Sequence, residues 1–559
     1  MSSALLRVEN LRIDYLVNGS PRNAVAGVSF EVHPGEVVAI VGESGSGKTT
    51  TAQSIINLLP GNARVTSGSV TFDGTDLTQL TRKEWQGVRG KEIGLIPQDP
   101  TASLDPLQRV GDQVAEALTI HRLQPKRAAR QSAVRLLEES GIRDASSRAR
   151  QFPHQFSGGM RQRVLIATAL AAQPKLVIAD EPTSALDVTV QRQILDNIAA
   201  LTAERGTAVL LITHDLGVAA DRADRIIVMR GGEIVEEGSA ADVLGNPQHS
   251  YTQQLIAAAP GLSPRRLRPS LSVQNPSTTT GGGAVHVSPL VEAKSLRKVF
   301  TLPRTAGGAR SLTAVDDVSL DIRRGETLAL VGESGSGKST VARLLLRLDK
   351  PTSGSVTFDG VDLASAKGER LRQLRRRFQV VFQSPYASLD PRFSVEDIIA
   401  EPLRAFAEGT PAERKSRVKA LLEEVHLPAD YGTRRPAALS GGQRQRIAIA
   451  RALALKPKLV VLDEAVSALD VSVQAQILTL LAELQVQESL SYLFISHDLA
   501  VVQQISDRVA VMQAGRLVEI GGTRDVLVNP AGEYTKALIS AIPGRTGAMV
   551  DSGPTRVAT

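Results

Sequence analysis

The eight-residue stretch GESGSGKT constrains this chain more than any other part of its sequence. It spans residues 42–49 and recurs as GESGSGKS at 332–339. Each copy follows an apolar run and precedes a segment with helical spacing, which is the context that a phosphate-binding loop of the pattern G-x-x-x-x-G-K-[ST] requires. Its glycines let backbone N–H groups approach phosphate oxygens, and its lysine neutralises phosphate charge. Two copies predict that the chain binds two nucleoside triphosphates.

Other segments recur as well, which indicates an internal duplication. Matching positions are 290 residues apart at the loops (42 and 332) and 286 apart at SGSVTFDG (67 and 353). From Ser157 and Ser440 through Tyr251 and Tyr534 they are 283 apart. The early differences place length changes in loops. The constant later separation predicts two complete copies of one domain, at residues 1–260 and 290–543.

The residues outside the two copies differ in composition. The stretch 261–289 is rich in Pro, Ser, Thr and Gly, which predicts a flexible linker with a span of roughly 30 Å. The end of the chain, 544–559, is predicted to be a disordered tail. Such a linker would let the two copies separate and meet again.

Composition excludes several classes of protein. The 559 residues include no cysteine, which excludes disulfides, thiolate-bound zinc and cysteine-ligated iron–sulfur clusters. No run of about 18 apolar residues is present, and the first residues are too polar for a signal peptide, so we expect a cytoplasmic protein without membrane spans. The net charge is +7, and the densest basic run, 370–378, has no interleaved aromatic residues. This favours a solvated face over a nucleic-acid surface.

Aromatic and amide side chains recur beside the two loops. Tyr15 and Phe300 each end a matching upstream segment, LRIDY and LRKVF. Either ring could stack on an adenine or belong to the core. Gln98 and Gln383 each end an apolar run and are followed five residues later by S-L-D-P. A glutamine at the end of a buried strand beside a phosphate loop could offer its carbonyl oxygen to Mg²⁺.

A second anion site is predicted after a helical insertion at residues 110–155. Ser157, Gly158 and Gly159 stand at the start of a long segment with helical spacing, and a helix N-terminus of this kind binds anions. The phosphate loop of the same half is already complete. The second anion site is therefore expected to serve a different nucleotide.

Two further strand ends carry candidate catalytic groups. The run KLVIADEP predicts a buried strand that ends at Asp180 and Glu181, where the first would hold Mg²⁺ and the second would polarise the attacking water. The alternative is a helix N-cap. His214 follows the apolar strand AVLLIT and recurs as His497, so we expect its ring to meet the γ-phosphate.

The phosphate loop, glutamine, Ser-Gly-Gly, Asp-Glu strand end, S-A-L-D segment and histidine occur in this order in both halves. Together they resemble the nucleotide-binding domains of ABC ATPases over nearly the whole chain. The resemblance implies an α/β protein with two tandem P-loop ATPase domains, each with a RecA-like core, an antiparallel β subdomain and an inserted helical subdomain. In that family two domains associate head to tail, and each nucleotide lies between the phosphate loop of one and the Ser-Gly-Gly of the other.

The resemblance assigns roles residue by residue. The implied catalytic residues are Glu181 and His214 in one site and Glu464 and His497 in the other. The implied magnesium ligands are Thr49, Gln98, Asp180, Ser339, Gln383 and Asp463. The implied ATP-binding residues are Tyr15, Gly42, Glu43, Ser44, Gly45, Ser46, Gly47, Lys48, Thr49, Thr50 and Gln98 with Ser440, Gly441 and Gly442, and Phe300, Gly332, Glu333, Ser334, Gly335, Ser336, Gly337, Lys338, Ser339, Thr340 and Gln383 with Ser157, Gly158 and Gly159.

One position departs from the family pattern. Ala465 stands where the family has proline and the first half has Pro182. Loss of the proline frees a backbone turn beside Glu464. Whether the two sites are equally active is therefore open.

Two further features are similar to the ATPases of dipeptide, oligopeptide and nickel importers: the segments QDPTASLDP and QSPYASLDP, and the endings HSYTQQLIAAAP and GEYTKALISAIP. The similarity implies an energy-coupling subunit of an importer, for di- or oligopeptides, held at the cytoplasmic face of the membrane by two transmembrane permease subunits. An extracytoplasmic binding protein would deliver the substrate, and no nucleic acid is expected. Many such relatives carry a cysteine cluster after the tyrosine; PGLSPRRLRPSL has none, so no iron–sulfur cluster is expected. Nickel, glutathione and other solutes stay open as cargo.

Two other functions share parts of this pattern. Translation or ribosome factors of the ABC class also carry two such domains, but they typically have a charged helical linker and N-H-L-D where this chain has S-A-L-D. Sugar importers also fuse two domains, though their second site is often degraded. Here both sites retain every catalytic residue.

Overall fold

The computed structural model describes residues 3–17, 19–184, 186–262, 266–267, 288–301, 311–383, 388–467 and 469–544. These residues form two compact units. Unit 1 holds the described residues from 3 to 262 together with Pro543 and Gly544, and unit 2 holds those from 266 to 542. Most of the predicted linker and all but the first residue of the predicted tail lie outside the described residues.

Unit 1 has two sheets. Its strands are β1 (Leu6–Val17), β2 (Ser20–Val32), β3 (Val37–Val41), β4 (Ala63–Phe72), β5 (Thr75–Asp76), β6 (Ile93–Ile96), β7 (Leu176–Asp180), β8 (Ala208–Ile212), β9 (Arg225–Arg230) and β10 (Glu233–Ser239). One sheet is antiparallel with the order β2-β1-β4-β5. The other has the order β10-β9-β3-β8-β7-β6, in which the pairs from β9 to β6 are parallel and β10 is antiparallel to β9.

The helices of unit 1 include one directly after the phosphate loop and several within the predicted helical insertion, residues 110–155. They are α1 (Lys48–Ile55), α2 (Arg82–Val88), α3 (Pro100–Ser103), α4 (Val110–Ile120), α5 (Lys126–Glu139), α6 (Ala145–Arg148), α7 (Gly158–Leu170), α8 (Val188–Arg205), α9 (Leu216–Arg222), α10 (Ala240–Gly245) and α11 (Ser250–Ala258). Helices α4 to α7 share a separate apolar cluster that includes Val114, Leu137 and Val164. This cluster is the core of the inserted helical subdomain.

Continuous apolar runs place the central strands. The sequences VVAIV, LVIAD and AVLLI of β3, β7 and β8 are buried along nearly their whole length. Strands of a parallel sheet covered on both faces require such runs rather than alternation. Because the carboxyl ends of parallel strands meet at one edge, the polar residues that follow β3, β7 and β8 come together there.

Unit 2 repeats this architecture. Its strands are β11 (Val291–Thr301), β12 (Ser311–Ile322), β13 (Thr327–Val331), β14 (Ser353–Phe358), β15 (Val361–Asp362), β16 (Phe378–Val381), β17 (Leu459–Asp463), β18 (Ser491–Ser496), β19 (Arg508–Gln513) and β20 (Arg516–Gly522). They form sheets of the same kind, with orders β12-β11-β14-β15 and β16-β17-β18-β13-β19-β20. The helices are α12 (Lys338–Leu345), α13 (Gly368–Arg376), α14 (Val395–Ala405), α15 (Pro411–Glu424), α16 (Gly441–Leu453), α17 (Val471–Gln487), α18 (Leu499–Ile505), α19 (Thr523–Val528) and α20 (Glu533–Ser540).

Three details refine the sequence expectations. The strands predicted to end at Gln98 and Gln383 end two residues earlier, at Ile96 and Val381, so each glutamine is the second residue of a loop. Within the stretch predicted as linker, Arg266 forms an ion pair with Asp507 in unit 2, at 2.7 Å. No helix among the described residues is both long and apolar enough to cross a membrane.

Candidate functional site

The first phosphate loop leaves the carboxyl end of β3 at Gly42 and enters α1 at Lys48. Gly42 has a φ of 152°, and a Cβ atom there would lie 2.2 Å from the carbonyl oxygen of Met229. Gly47 has a φ of 100°, and a Cβ atom there would lie 2.7 Å from the carbonyl oxygen of Ala24. Only glycine fits both the conformation and the close backbone approach. The second loop repeats these contacts at Gly332 and Gly337.

The lysine of each loop is buried and bound to the backbone of its own loop. Lys48 is 6% exposed, and its Nζ donates to the carbonyl oxygens of Gly42 at 2.7 Å and Glu43 at 2.8 Å. Lys338 makes the matching contacts in unit 2 at the same distances. A buried ammonium at the start of a helix supplies positive charge where backbone N–H groups are also available. Each loop therefore fits a polyphosphate.

A hydroxyl and a carboxylate meet beside each lysine. Thr49 Oγ1 donates to Asp180 Oδ1 at 3.0 Å, and Ser339 Oγ donates to Asp463 Oδ1 at 3.1 Å. Asp180 is the last residue of β7 and Asp463 the last of β17. Mg²⁺ takes oxygen ligands, and in proteins with a phosphate loop it is held by the loop Ser or Thr hydroxyl and a strand-end Asp. The donor set of each unit fits a magnesium ion.

The glutamate that follows each aspartate has a left-handed backbone. The φ angle is 45° at Glu181 and 48° at Glu464. Such a conformation costs a non-glycine residue about 1–3 kcal/mol and persists where the surrounding structure imposes it. The backbone N–H of Glu181 donates to the carbonyl of Ile212 at 2.9 Å, and that of Ser184 donates to the carbonyl of Glu181 at 3.1 Å. The chain thus leaves β7 in a tight turn.

The Glu181 carboxylate contacts side chains from the loops that follow two other strands, β6 and β8. Its Oε2 accepts a hydrogen bond from Gln98 Nε2 at 2.9 Å, and its Oε1 lies 3.1 Å from His214 Nδ1. Glu464 has the same partners in unit 2, Gln383 at 2.6 Å and His497 at 3.5 Å. In each unit the structure brings together the glutamine, glutamate and histidine that the sequence placed on separate strands.

The pKa values of the adjacent carboxyl groups of Asp180 and Glu181 are shifted in opposite directions. Burial raises the pKa of Asp180; the hydrogen bond from Thr49 opposes this rise, and the charge of Glu181 adds to it. Burial also favours a higher pKa for Glu181, but the hydrogen bond and charge of His214 outweigh it, so the pKa of Glu181 is lowered.

The pKa of His214 is raised by the same contact with Glu181. Burial alone would lower the pKa of His214, yet the hydrogen bond and negative charge of Glu181 raise it. In unit 2 the pKa of Asp463 is likewise raised, the pKa of Glu464 is lowered and the pKa of His497 is raised. A glutamate held in its ionised form can accept a proton, which is what a general base must do.

The turn beside Glu464 keeps its shape without the proline. Pro182 follows Glu181 and the buried Ala465 follows Glu464, yet the two glutamates differ in φ by only a few degrees. The Ser467 N–H donates to the carbonyl of Glu464 at 3.2 Å, as Ser184 does in unit 1. Backbone hydrogen bonds therefore hold this turn in both units. Ala185 and Ala468 of the S-A-L-D segments lie outside the described residues.

Each Ser-Gly-Gly segment begins a helix. Ser157 caps α7, where its hydroxyl accepts from the Met160 N–H at 3.4 Å, and Ser440 caps α16 in the same way. A Cβ atom on Gly159 would lie 2.6 Å from Val190 Cγ1, whereas one on Gly158 would meet its nearest atom at 3.6 Å. The second glycine is required by packing against α8, and the first leaves the helix N-terminus open. Gly441 and Gly442 show the same difference.

The two upstream aromatic residues occupy matching strands but have different neighbours. Tyr15 is half-buried on β1, and its hydroxyl lies 3.3 Å from Thr50 Oγ1 at the start of α1. Phe300 on β11 is 38% exposed, and Lys298 Nζ lies 5.0 Å from its ring centroid. Tyr15 is thus tied to the helix that follows the phosphate loop, and Phe300 offers an accessible ring. Contact of either ring with adenine stays a prediction.

Sequence reasoning missed one pair of residues at the loops. The hydroxyl of Tyr251 accepts a hydrogen bond from the Glu43 N–H at 3.1 Å, and that of Tyr534 accepts from the Glu333 N–H at 3.3 Å. The available signal was the recurrence of both tyrosines in the endings of the two halves. Nothing in the sequence identifies the phosphate loop as their partner.

Comparison with known families agrees with this geometry. The family described as "ABC transporter" matches residues 25–184 and 315–467. The family described as "Oligopeptide/dipeptide transporter, C-terminal region" matches residues 235–283 and 518–549. Each half therefore carries both regions.

Three relatives match almost end to end. The oligopeptide transport ATP-binding protein OppD of Mycobacterium bovis is 44% identical, over 97% of this chain and 98% of the relative. The glutathione import ATP-binding protein GsiA of Pectobacterium atrosepticum is 45% identical, over 96% and 89%. The peptidoglycan transport ATP-binding protein YejF of Agrobacterium fabrum is 46% identical, over 96% of both. The chain belongs to the ABC transporter family, as an ATP-hydrolysing subunit with two fused ATPase domains.

Proposed function

We propose that this chain couples ATP hydrolysis to the import of peptides or peptide-like solutes. ATP hydrolysis is supported by a cluster of side chains that occurs in both units. In unit 1, Glu181 contacts Gln98 and His214. The preceding residue, Asp180, contacts Thr49 of the phosphate loop. For the cargo, the support is the second family match and the names of the relatives, which describe oligopeptide, glutathione and peptidoglycan transport. The dipeptide and oligopeptide class is the cargo that we favour.

Each unit holds the groups that ATP hydrolysis needs. Lys48 would contact the β- and γ-phosphates, and Thr49, Asp180 and the carbonyl oxygen of Gln98 would hold Mg²⁺, which neutralises charge on the phosphates. Glu181 would take a proton from the attacking water, and His214 would both orient Glu181 and meet the γ-phosphate. Their counterparts in unit 2 would act in the same way.

The two ATP sites are proposed to be composite. Each unit presents an open helix N-terminus at Gly158 or Gly441 in addition to its own phosphate loop. This helix N-terminus could bind the phosphates of a nucleotide that is held by the phosphate loop of the other half. Ser440, Gly441 and Gly442 would complete the site of Lys48, and Ser157, Gly158 and Gly159 would complete the site of Lys338. ATP would close the two halves, and hydrolysis would reopen them.

The partners follow from the coupling role. Two transmembrane permease subunits would bind the chain at the cytoplasmic face of the membrane and receive its movement near Gln98 and Gln383. An extracytoplasmic binding protein would deliver the cargo. In this arrangement the specificity for cargo belongs to the partners.

The experiment is purification of the tagged full chain from detergent-solubilised membranes, followed by reconstitution of the complex in vesicles. We expect two permease subunits to co-purify and labelled di- or oligopeptides to enter the vesicles when Mg²⁺-ATP and the binding protein are present. Glutathione and Ni²⁺ serve as alternative cargoes, and the Glu181→Gln/Glu464→Gln complex is the matched inactive control. Recovery of ribosomes in place of permeases, or peptide uptake that does not depend on ATP, would contradict the proposal.

A further inference from the structure

A tyrosine near the end of each half contacts the phosphate loop of the same unit. Tyr251 lies on α11 and Tyr534 on α20, more than 200 residues after the loops that they meet. Each hydroxyl accepts a hydrogen bond from the backbone N–H of the second loop residue, Glu43 or Glu333. Neither tyrosine has a role in the hydrolysis machinery described above.

A carboxylate on a neighbouring strand fixes the start of each tyrosine helix. Glu236 on β10 accepts from the N–H groups of Gln248 at 2.7 Å and His249 at 3.1 Å. Glu519 on β20 accepts from the N–H groups of Ala531 at 2.9 Å and Gly532 at 3.2 Å. The bound residues differ between the halves, yet the arrangement is the same. The tyrosine is thus held by a duplicated chain of contacts from strand to helix to loop.

Packing also restricts the ring in unit 1. Tyr251 is 2% exposed, and the guanidinium carbon of Arg230 lies 4.8 Å from its ring centroid. Arg230 ends β9, the strand whose Met229 carbonyl approaches Gly42. The end of β9, the start of the loop and α11 therefore pack around one point. A buried aromatic ring with two rotatable bonds is a rigid support for a hydrogen bond.

The contact matters because both backbone polar groups of Glu43 are hydrogen-bonded. Its N–H donates to Tyr251, and its carbonyl accepts from Lys48 Nζ. If Lys48 binds phosphate, as the proposed function requires, its hydrogen bonds would be shared with the nucleotide, and the lysine would restrain the Glu43 carbonyl less. The tyrosine contact does not depend on the lysine. It would therefore keep the first part of the loop in place while the lysine contacts the phosphates.

We propose that Tyr251 and Tyr534 are positioning residues that hold the phosphate loops in the form that accepts ATP. They link the oligopeptide/dipeptide transporter C-terminal region, which includes both tyrosines, to nucleotide binding. Without the hydroxyl, the loop spends less time in its competent form, and the apparent dissociation constant rises by the inverse of that fraction. A hydrogen bond of ordinary strength corresponds to a change of about 2- to 13-fold.

The test is the Tyr251→Phe/Tyr534→Phe double variant of the full chain. We expect the apparent dissociation constant for Mg²⁺-ATP and the KM for ATP to rise about 2- to 13-fold, while kcat at saturating ATP stays within about twofold of the wild type. In the Tyr251→Phe single variant, only the site with Lys48 should weaken, so binding should become biphasic.

Tyr492 provides the matched control. Tyr492 lies on β18 and is 1% exposed, and its hydroxyl donates to the carbonyl of Leu481 on α17 at 3.0 Å. Tyr492→Phe therefore also removes a buried phenol hydroxyl. We expect this variant to lower the unfolding temperature without changing the KM for ATP. An unchanged KM and dissociation constant in the double variant would overturn the proposal. So would an equal rise in KM for Tyr492→Phe, because the effect would then be one of general stability.

Discussion

Replacement of Glu181 and Glu464 by glutamine isolates the role of the proposed general base. Glutamine has the same shape and retains one side-chain oxygen for Gln98 or His214, but it cannot take a proton from water. Loss of general-base catalysis slows a reaction by about 10²- to 10⁴-fold. At 1.36 kcal/mol per factor of ten, this corresponds to a barrier raised by roughly 3–5 kcal/mol.

ATP binding should survive the same change. The contacts that shape the loop run from Lys48 to the carbonyls of Gly42 and Glu43, and they do not involve the side chain of Glu181. The variant also removes a negative charge from the neighbourhood of the phosphates. We therefore expect affinity for ATP at least equal to that of the wild type.

The assay is phosphate release by the full chain at saturating Mg²⁺-ATP, with binding of labelled ATP measured in parallel. Glu233→Gln on the exposed side of β10 is the control for loss of one carboxylate, and it should turn over at the wild-type rate. Unchanged turnover in the Glu181→Gln/Glu464→Gln variant would refute the assignment of the base. Loss of ATP binding would show that the glutamates hold the nucleotide instead.

Two further predictions concern the Ser-Gly-Gly segments. Gly159→Ala should destabilise the chain by about 1–3 kcal/mol in denaturant unfolding, because the new Cβ would lie 2.6 Å from Val190 Cγ1, whereas Gly158→Ala should leave unfolding nearly unchanged. Equal effects of the two substitutions would contradict the packing argument. Ser157→Ala should weaken photolabelling by an azido nucleotide at the site with Lys338 and spare the site with Lys48. The reverse pattern would contradict the proposed pairing of the halves.

Sequence reasoning identified the phosphate loops and the central strands because their patterns are local. Glycines at fixed spacing determine the course of the loop, and apolar runs such as VVAIV determine the central strands. The mixed architecture of each unit followed from the family resemblance and is confirmed. The predicted limits of two strands were less accurate, because Pro97 and Phe382 extend the apolar runs by one residue beyond the ends of the strands.

Side-chain partners depend on contacts between distant parts of the chain. The hydrogen bond from Gln98 to Glu181 joins residues that are 83 apart in sequence, and that from Glu43 to Tyr251 joins residues 208 apart. No local pattern specifies such a pairing. The left-handed backbone of Glu181 was also unpredictable, because a non-glycine residue adopts it only when the surrounding turn requires it.

The number of ATP molecules bound per chain tests the central claim most directly. The claim is that both halves supply a working phosphate loop, glutamate and histidine, including the half in which Ala465 stands in place of the proline. Equilibrium dialysis of the Glu181→Gln/Glu464→Gln full chain with labelled ATP and Mg²⁺ should give a stoichiometry of two. A value of one, with no further binding at saturation, would contradict it.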